Sequence, residues 1–351
     1  MKTPLVYALH SGNLYGTERM ALATIEGLRD DFDSVVFAPA GPALEEAARL
    51  GFETVSFTSP LNFAWKLRPL LARNKRIAFV ATGVVHSLAF IAWNKVYRRS
   101  ATHLHIVHGG TDELLSYGRK RRLNGTSAVF VAVSHFVKER LIANGVNPGQ
   151  IDVIENFLPD ARVGSLLKRP RFETGPKRLL VISRIDPIKR VDLLLDALDR
   201  VPELNRVPIR VLGTGWELDA LRQRAAEKNP SVTFAGFTSD VESELAASDL
   251  LVHMCPEEPF GLAILEAMAA GVPVLVPDSG GAGSLVDDGV SGFRFKSNNV
   301  DSLAARLKEL LREPAATLNS VVEQGRAKLS ERFSAEARTE DYRRLLEAGM
   351  Q

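Results

Sequence analysis

The stretch LLVHMCPEEPFGLAILEAMAAGVPVLVPD, residues 250–278, decides the fold. Its two ends, LLVHMC and PVLVPD, are short apolar runs of the kind that form buried strands, and the residues between them, from about 260 to 270, carry helical spacing. A strand, a helix and another strand in succession make a parallel sheet with helices packed on its faces.

The same alternation continues in both directions. RLLVISR (178–184), IRVLG (209–213) and VTFAG (232–236) precede this unit and FRF (293–295) follows it, with helices expected near 190–200, 216–228, 241–248, 283–287 and 301–312. Towards the N-terminus, LVYALH (5–10), SVVFAP (34–39), TVSF (54–57), IAFVATG (77–83), THLHIVHG (102–109) and AVFVAVS (128–134) read as strands. A helix is expected over about 17–30, and ALEEAARLG, SLAFIAWNKVY and HFVKERLIANG supply three more. The segment 158–178, rich in Pro, Gly and charge, reads as a linker. The expectation is an α/β protein of two Rossmann-like doubly wound domains, 1–160 and 161–334, with a C-terminal helix in 335–351 returning to the first. A length of 351 residues suits two domains.

Composition narrows the class. Hydrophobic residues make up 45% and charged residues 25%, ordinary for a globular chain, and no apolar run reaches the roughly 20 residues that span a bilayer. The N-terminal MKTPLVYALHSG reads as a first buried strand rather than a signal peptide, and the single cysteine, Cys255, excludes an internal disulfide. Both point to the cytoplasm. The formal net charge is only +2, but residues 60–140 hold 14 Lys and Arg against 3 Asp and Glu, a local excess of +11.

Four charged side chains stand where strands give way to helices. Glu258 precedes the helix expected from about 260, and Glu266 follows eight residues later, about 9–12 Å along such a helix. Two carboxylates so placed can hold two hydroxyl-bearing parts of one extended ligand, with a helix N-terminus between them for a phosphate. Arg184 ends a strand and Lys189 opens the next helix, a pair suited to phosphate oxygens. Taken singly, these residues fit equally well as solvated glutamates and a surface ion pair. Glycines follow strands at Gly12 and Gly16, and SGGAG (279–283) is a candidate backbone nest for anions. Neither the first loop nor Gly213-Thr214-Gly215 has the GxGxxG spacing of dinucleotide-binding dehydrogenases.

Two glutamates eight apart followed by AMAAGVPVLV resemble the retaining glycosyltransferases of family four, which have the GT-B fold, with the two domains facing across a cleft. The SR…K stretch, the GTER loop, VHGG, VSHFVKERL and IENF resemble family blocks in the same order, over nearly the whole chain. The resemblance implies an enzyme that moves a sugar from a nucleotide diphosphate-sugar to a hydroxyl of a glycan or lipid-linked acceptor. It implies that Glu258 holds donor-sugar hydroxyls, Glu266 the ribose, and Arg184 and Lys189 the leaving diphosphate. Phe260, Gly261 and Leu262 would offer backbone N–H groups, Gly16 a close backbone approach to the diphosphate, His108 a place near the reacting centre, and Gly236 one near the base. Two positions depart from the pattern. Gly283-Ser284 stands where the family has Pro-Glu, and NLYGTER has one glycine where the family has a pair.

No carboxylate is placed as a covalent nucleophile, so the implied mechanism is front-face transfer with retention, the leaving phosphate helping to deprotonate the acceptor. No metal or cofactor is expected. The rival readings are a nucleotide-sugar epimerase and a non-catalytic nucleotide-sugar-binding protein. The array His103, His105 and His108 lacks an evident further metal ligand. The basic stretch, with Lys66, Arg68, Arg73, Lys75, Arg76, Arg98, Arg99 and Arg119 to Arg122 among Phe63, Trp65 and Trp93, fits either a solvated face or a surface for anionic lipid or acidic glycan. Such a surface would put the enzyme peripherally on the inner face of a membrane, in cell-surface polysaccharide or lipopolysaccharide synthesis. No nucleic-acid recognition motif is present.

Overall fold

Buried apolar runs become parallel strands in two separate sheets of a computed structural model that describes residues 2–110 and 113–349. The chain divides into two compact units, Met1–Phe157 with Ala335–Gln351, and Leu158–Ser334.

The first unit alternates β1 (Thr3–Ala8), α1 (Gly16–Gly27), β2 (Phe32–Ala38), α2 (Pro42–Arg49), β3 (Glu53–Ser56), α3 (Pro60–Arg73), β4 (Arg76–Ala81) and α4 (Val84–Tyr97). It continues through β5 (Ser100–Val107), β6 (Ala128–Ala132), α5 (His135–Ala143) and β7 (Ile151–Val153). Its sheet runs β3-β2-β1-β4-β5-β6-β7, all parallel. The second unit holds α6 (Asp160–Ser165), β8 (Leu179–Ile182), α7 (Val191–Arg200), β9 (Ile209–Leu212), α8 (Leu218–Lys228), β10 (Val232–Gly236) and α9 (Val241–Ala246). Then come β11 (Leu250–Val252), α10 (Leu262–Ala270), β12 (Val274–Pro277), α11 (Gly280–Leu285), β13 (Phe293–Phe295), α12 (Val300–Leu310) and α13 (Ala315–Arg332). Its sheet runs β10-β9-β8-β11-β12-β13. In each unit the strand order reverses beside the first strand, between β1 and β4 and between β8 and β11. Loops diverge at that reversal and leave a crevice at the strands' carboxyl ends.

Local chemistry sets the boundaries. Ser59 accepts from the Asn62 N–H at 3.2 Å and Pro60 opens α3; Ser134 accepts from the Val137 N–H at 3.1 Å to start α5. The α10 helix is buried along Ile264, Leu265 and Ala267 to Ala270, and it stops where Gly271 takes a left-handed φ of 83°. The last helix, α14 (Ala335–Ala348), belongs to the first unit. Arg343 pairs with Asp31 at 2.7 Å, and the Thr102 hydroxyl donates to the Leu346 carbonyl at 2.5 Å.

Three expectations need correcting. Residues 158–178 are not a free linker. They contain α6, bury Phe172 in the core of the second unit, and tie Arg169 to Asp249 at 2.6 Å. Asp249 also accepts from the Lys177 and Arg178 N–H groups at 2.9 Å each, which explains a charged segment held against the sheet. The helix after Glu258 begins at Leu262 rather than 260, because Gly261 at φ 108° interrupts helical geometry, so the axial distance from Glu258 to Glu266 is not a pure helical rise. The basic stretch is only partly a surface: Phe63 is fully buried and Lys120 is 8% exposed, while positions 111 and 112 lie outside the described residues. No helix among the described residues is long and apolar enough to cross a membrane.

Candidate active site

The crevice of the second unit is built from the loops that follow β8 and β11. Glycines let these loops close on their neighbours. A Cβ at Gly213, after β9, would lie 1.8 Å from the Ser183 carbonyl oxygen, and one at Gly281 would lie 2.2 Å from that of Pro259. Any side chain at either position would force the loops apart.

Across the crevice, the Lys189 ammonium donates to Oε2 of Glu258 at 2.6 Å, with the two side chains 16% and 14% exposed. His253 Nε2 lies 3.3 Å from the same oxygen, off the line of a well-formed hydrogen bond. Burial pushes the Glu258 carboxyl up, but His253 and Lys189 more than offset this and hold it well below the usual carboxylate range. Burial likewise pulls Lys189 down, and the Glu258 charge more than restores it. The site therefore rests as a buried ion pair at neutral pH. Cys255, two residues along from His253, has its thiol pushed up to about 11 by burial and stays protonated. His253, Cys255 and Glu258 bring three ligand-type atoms within 4.8 Å of one another. The oxygen a metal would need is already held by Lys189, so this donor set fits an ion pair better than a cation site.

Arg184 is 63% exposed and pairs with Asp186 at 3.0 Å rather than with Glu258. Glu266, one turn into α10, accepts from Arg162 Nε at 2.7 Å. Phe260 buries its ring edge-on against Phe333, so only its backbone is available to a ligand. The Gly261 carbonyl accepts from the Ile264 N–H, and Leu262 is the first helical residue. Gly236 ends β10 at φ 74°, with open space where a Cβ would sit.

Gly16 and His108 belong to the first unit. Gly16 opens α1, whose Glu18 is 2% exposed and accepts from the Tyr15 N–H at 3.1 Å. His108 follows β5; burial lowers its pKa to about 3, and its Nε2 has no partner among the described residues. His103 and His105 are not poised around an ion: both bond the Ser87 hydroxyl, at 3.0 and 2.9 Å. At this unit's own strand-order reversal, His10 after β1 bonds Thr82 after β4 through Nδ1 at 2.8 Å.

Reading the sequence missed Arg162, Glu242 and His253. The spacing H-x-C-x-x-E was visible, but nothing in it showed that a strand end would turn the imidazole onto Glu258. Arg162 lay in the supposed linker.

Comparison with known proteins bears on the family and the fold. Residues 165–338 match the family model for glycosyl transferases group 1, and residues 15–162 match that for glycosyltransferase family 4. The chain is 31% identical to the lipopolysaccharide core biosynthesis glycosyltransferase LpsE of Rhizobium meliloti, over 56% of this chain and 58% of that protein. It is 28% identical to the GDP-mannose-dependent alpha-(1-6)-phosphatidylinositol monomannoside mannosyltransferase of Mycolicibacterium smegmatis, over 80% and 81%. The chain spans about half the length of most of the curated relatives it matches. Anabaena HepE, crystallised with UDP and glucose, has the same fold with a TM-score of 0.80 at 20% identity, covering 99% of this chain and all of that one. Two doubly wound units, the glycine-packed loops at their strand ends and both family matches lead to one assignment: the chain belongs to the group 1, family 4 glycosyltransferases and has the GT-B fold.

Proposed function

We propose that this chain is a retaining glycosyltransferase that moves a hexosyl-type sugar from a nucleotide diphosphate-sugar to a hydroxyl of a glycan or lipid-linked acceptor, in polysaccharide or lipopolysaccharide synthesis. The Lys189–Glu258 pair at the strand-order reversal carries the reading. A buried carboxylate kept ionised is a strong acceptor for sugar hydroxyls, and a buried ammonium beside it meets the phosphate that carries the sugar. Arg184, in an exposed and weakly held pair, is free to swing onto the same diphosphate. Glu266 takes the ribose, Gly236 borders the base, and the backbone of Phe260, Gly261 and Leu262 meets the sugar or phosphate. Catalysis is then charge stabilisation and positioning, with the leaving phosphate assisting acceptor deprotonation and no resident metal taking part. HepE was crystallised with UDP and the mycobacterial relative uses GDP-mannose, so uridine and guanosine donors are the first to try.

Thermal unfolding with UDP-, GDP-, ADP- and TDP-sugars tests this. A nucleotide at 100 times its Kd adds about 2.7 kcal/mol, a rise of several degrees in Tm. A rise with one base, lost in Glu266→Ala, supports the donor site. No rise with any of the four removes it.

The acceptor side involves α3 and α4, which pack together and expose Leu61, Trp65, Leu88 and Val96. Leu61 and Trp65 lie one turn apart on α3, while Leu88 and Val96 lie two turns apart on α4, so each pair shares a face. Lys95 and Arg98 flank them, and the Arg68 guanidinium covers the rings of Trp65 and Trp93 at 5.8 Å each. Apolar side chains ringed by cations suit an anionic membrane surface, the place where a lipid-linked acceptor is presented.

A further inference from the structure

The segment that opens the second unit sends one side chain into the candidate donor site. Arg162, in α6, donates Nε–H to Oε1 of Glu266 at 2.7 Å and Nη1–H to Oε1 of Glu242 on α9. All three side chains are largely buried, at 26%, 19% and 23% exposed. Oε2 of Glu266 has no partner among the described residues. One edge of the carboxylate is thus fixed by the protein and the other is left open.

We infer that Arg162 is a positioning residue for nucleotide recognition: anchored on Glu242, it holds Glu266 in the orientation that receives a ribose hydroxyl. This rests on the reading of Glu266 as the ribose ligand. A glutamate has three rotatable bonds, and a helix-borne one facing a crevice loses that freedom when it binds. A guanidinium held on both sides removes most of the loss beforehand, so affinity and selectivity for the hydroxyl both rise. Lysine has no second donor in a fixed fork and cannot span two carboxylates in this way. The charge balance fits as well: two carboxylates share one guanidinium, and the remaining negative charge makes Glu266 a strong acceptor.

The test is isothermal titration of the full chain with UDP and GDP, each against its 2′-deoxy form, in the wild type and in Arg162→Ala, Arg162→Lys, Glu242→Gln and Glu266→Gln. A charge-assisted hydrogen bond to the 2′-hydroxyl predicts a ribo-over-deoxy preference of about 10-fold or more in the wild type. The expectation is that Arg162→Ala cuts this preference to about 3-fold or less, chiefly by weakening the ribonucleotide, and that Arg162→Lys recovers little of it. Glu242→Gln, which leaves Arg162 and Glu266 in place, should fall between; it keeps the test open should Arg162→Ala not fold. A general loss of structure would weaken both nucleotide forms alike and leave their ratio unchanged. Full preference in Arg162→Ala and Glu242→Gln, with loss in Glu266→Gln, overturns the role of Arg162 and leaves the ribose assignment standing. So does tighter ribonucleotide binding by Arg162→Ala, which would make the arginine a blocker. A preference unchanged in Glu266→Gln, or no binding of either nucleotide by the wild type, overturns the ribose assignment and this inference with it.

Discussion

Replacing Lys189 with methionine keeps most of the side chain's length and removes its charge, leaving Glu258 ionised in a buried site with only His253 beside it. Breaking a buried ion pair by removing one member costs about 3–5 kcal/mol. Here both side chains retain roughly a seventh of their exposure and the imidazole stays 3.3 Å away, so the expected loss at neutral pH is about 2–4 kcal/mol. For a unit of this size that lowers Tm by about 5–15 °C. The loss must also depend on pH. In the wild type the Glu258 carboxyl is held well below the usual range, so its stabilising charge is present above the unfolded value near about 4.3 and is lost only as pH falls far below it. In Lys189→Met the burial that pushes the carboxyl up is no longer offset by the ammonium. With only His253 left to oppose it, the carboxyl moves up from its wild-type position, so the folded variant takes up a proton at higher pH than the wild type does and the gap between them narrows as pH falls. Calorimetry at pH 7.5 and pH 5.0 should therefore find a smaller gap between wild type and variant at the lower pH. The double variant Lys189→Met/Glu258→Gln, with neither charge, should be more stable than the single variant at pH 7.5. An equal gap at both pH values, or a double variant no more stable than Lys189→Met, would refute a buried charged pair.

Three other outcomes follow from the same geometry. Arg184→Ala should leave Tm within about 1 °C, since its pair with Asp186 is exposed, yet reduce turnover by about 10²–10³ as a lost phosphate contact would; near-native turnover would remove it from the site. His108, with its pKa lowered to about 3, stays neutral through the physiological range, so the pH profile of kcat/KM should show no limb from it between pH 5 and 8. A limb near pH 6.5 that disappears in His108→Gln would contradict that. Trp65→Ala with Lys95→Glu should weaken sedimentation with vesicles containing about 30% anionic lipid by at least tenfold, each cation near such a surface being worth about 1 kcal/mol. Wild-type protein that sediments equally with neutral and anionic vesicles rules the surface out.

The parallel α/β class was readable because strands buried on both faces are near-continuous apolar runs, as in LVYALH and LLVHMC, and the loops between them carry polar and glycine residues. Besides α6, hidden in the supposed linker, three elements were not found. The helix α3 contains Pro69, which in sequence reads as a breaker; it is tolerated near the end of a helix whose Phe63, Leu67 and Leu71 face the core. The helix α13 is mostly polar and buries only Leu318, Val321, Gly325 and Leu329, too thin a stripe to stand out. The strand β7 is three residues long and pairs only with β6. At the site, Glu258 and Lys189 were legible as residue types where strands give way to helices, and Glu266 as one on the helix that follows. Their partners were not, because hydrogen bonds between residues 69 apart, or 104 apart for Arg162 and Glu266, depend on which strands lie side by side. Strand order is the property that local pattern carries least.

The charges of the second unit are already paired with one another: Lys189 with Glu258, Arg184 with Asp186, Arg162 with Glu266 and Glu242. On the proposed function, binding a diphosphate there would be an exchange of partners, and the cost of exchange would differ by position. The Arg184–Asp186 pair is worth little because the guanidinium is mostly in water, so Arg184 can be handed to phosphate almost freely. Lys189 cannot leave Glu258 without stranding a buried carboxylate, so as a phosphate ligand it would act while still bonded to the glutamate, using another of its three ammonium hydrogens. That constraint ties the sugar and the phosphate together. In that reading the carboxylate proposed for the sugar hydroxyls and the ammonium proposed for the phosphate share a hydrogen bond, so each fixes the other's position. A donor lacking either the sugar or the diphosphate would then engage half of a rigid unit, whereas the proposed role of Arg184 is to meet the charge that builds on the departing phosphate. The proposed division of labour is then physical: a fixed buried pair for recognition, and an exposed cation for the transition state.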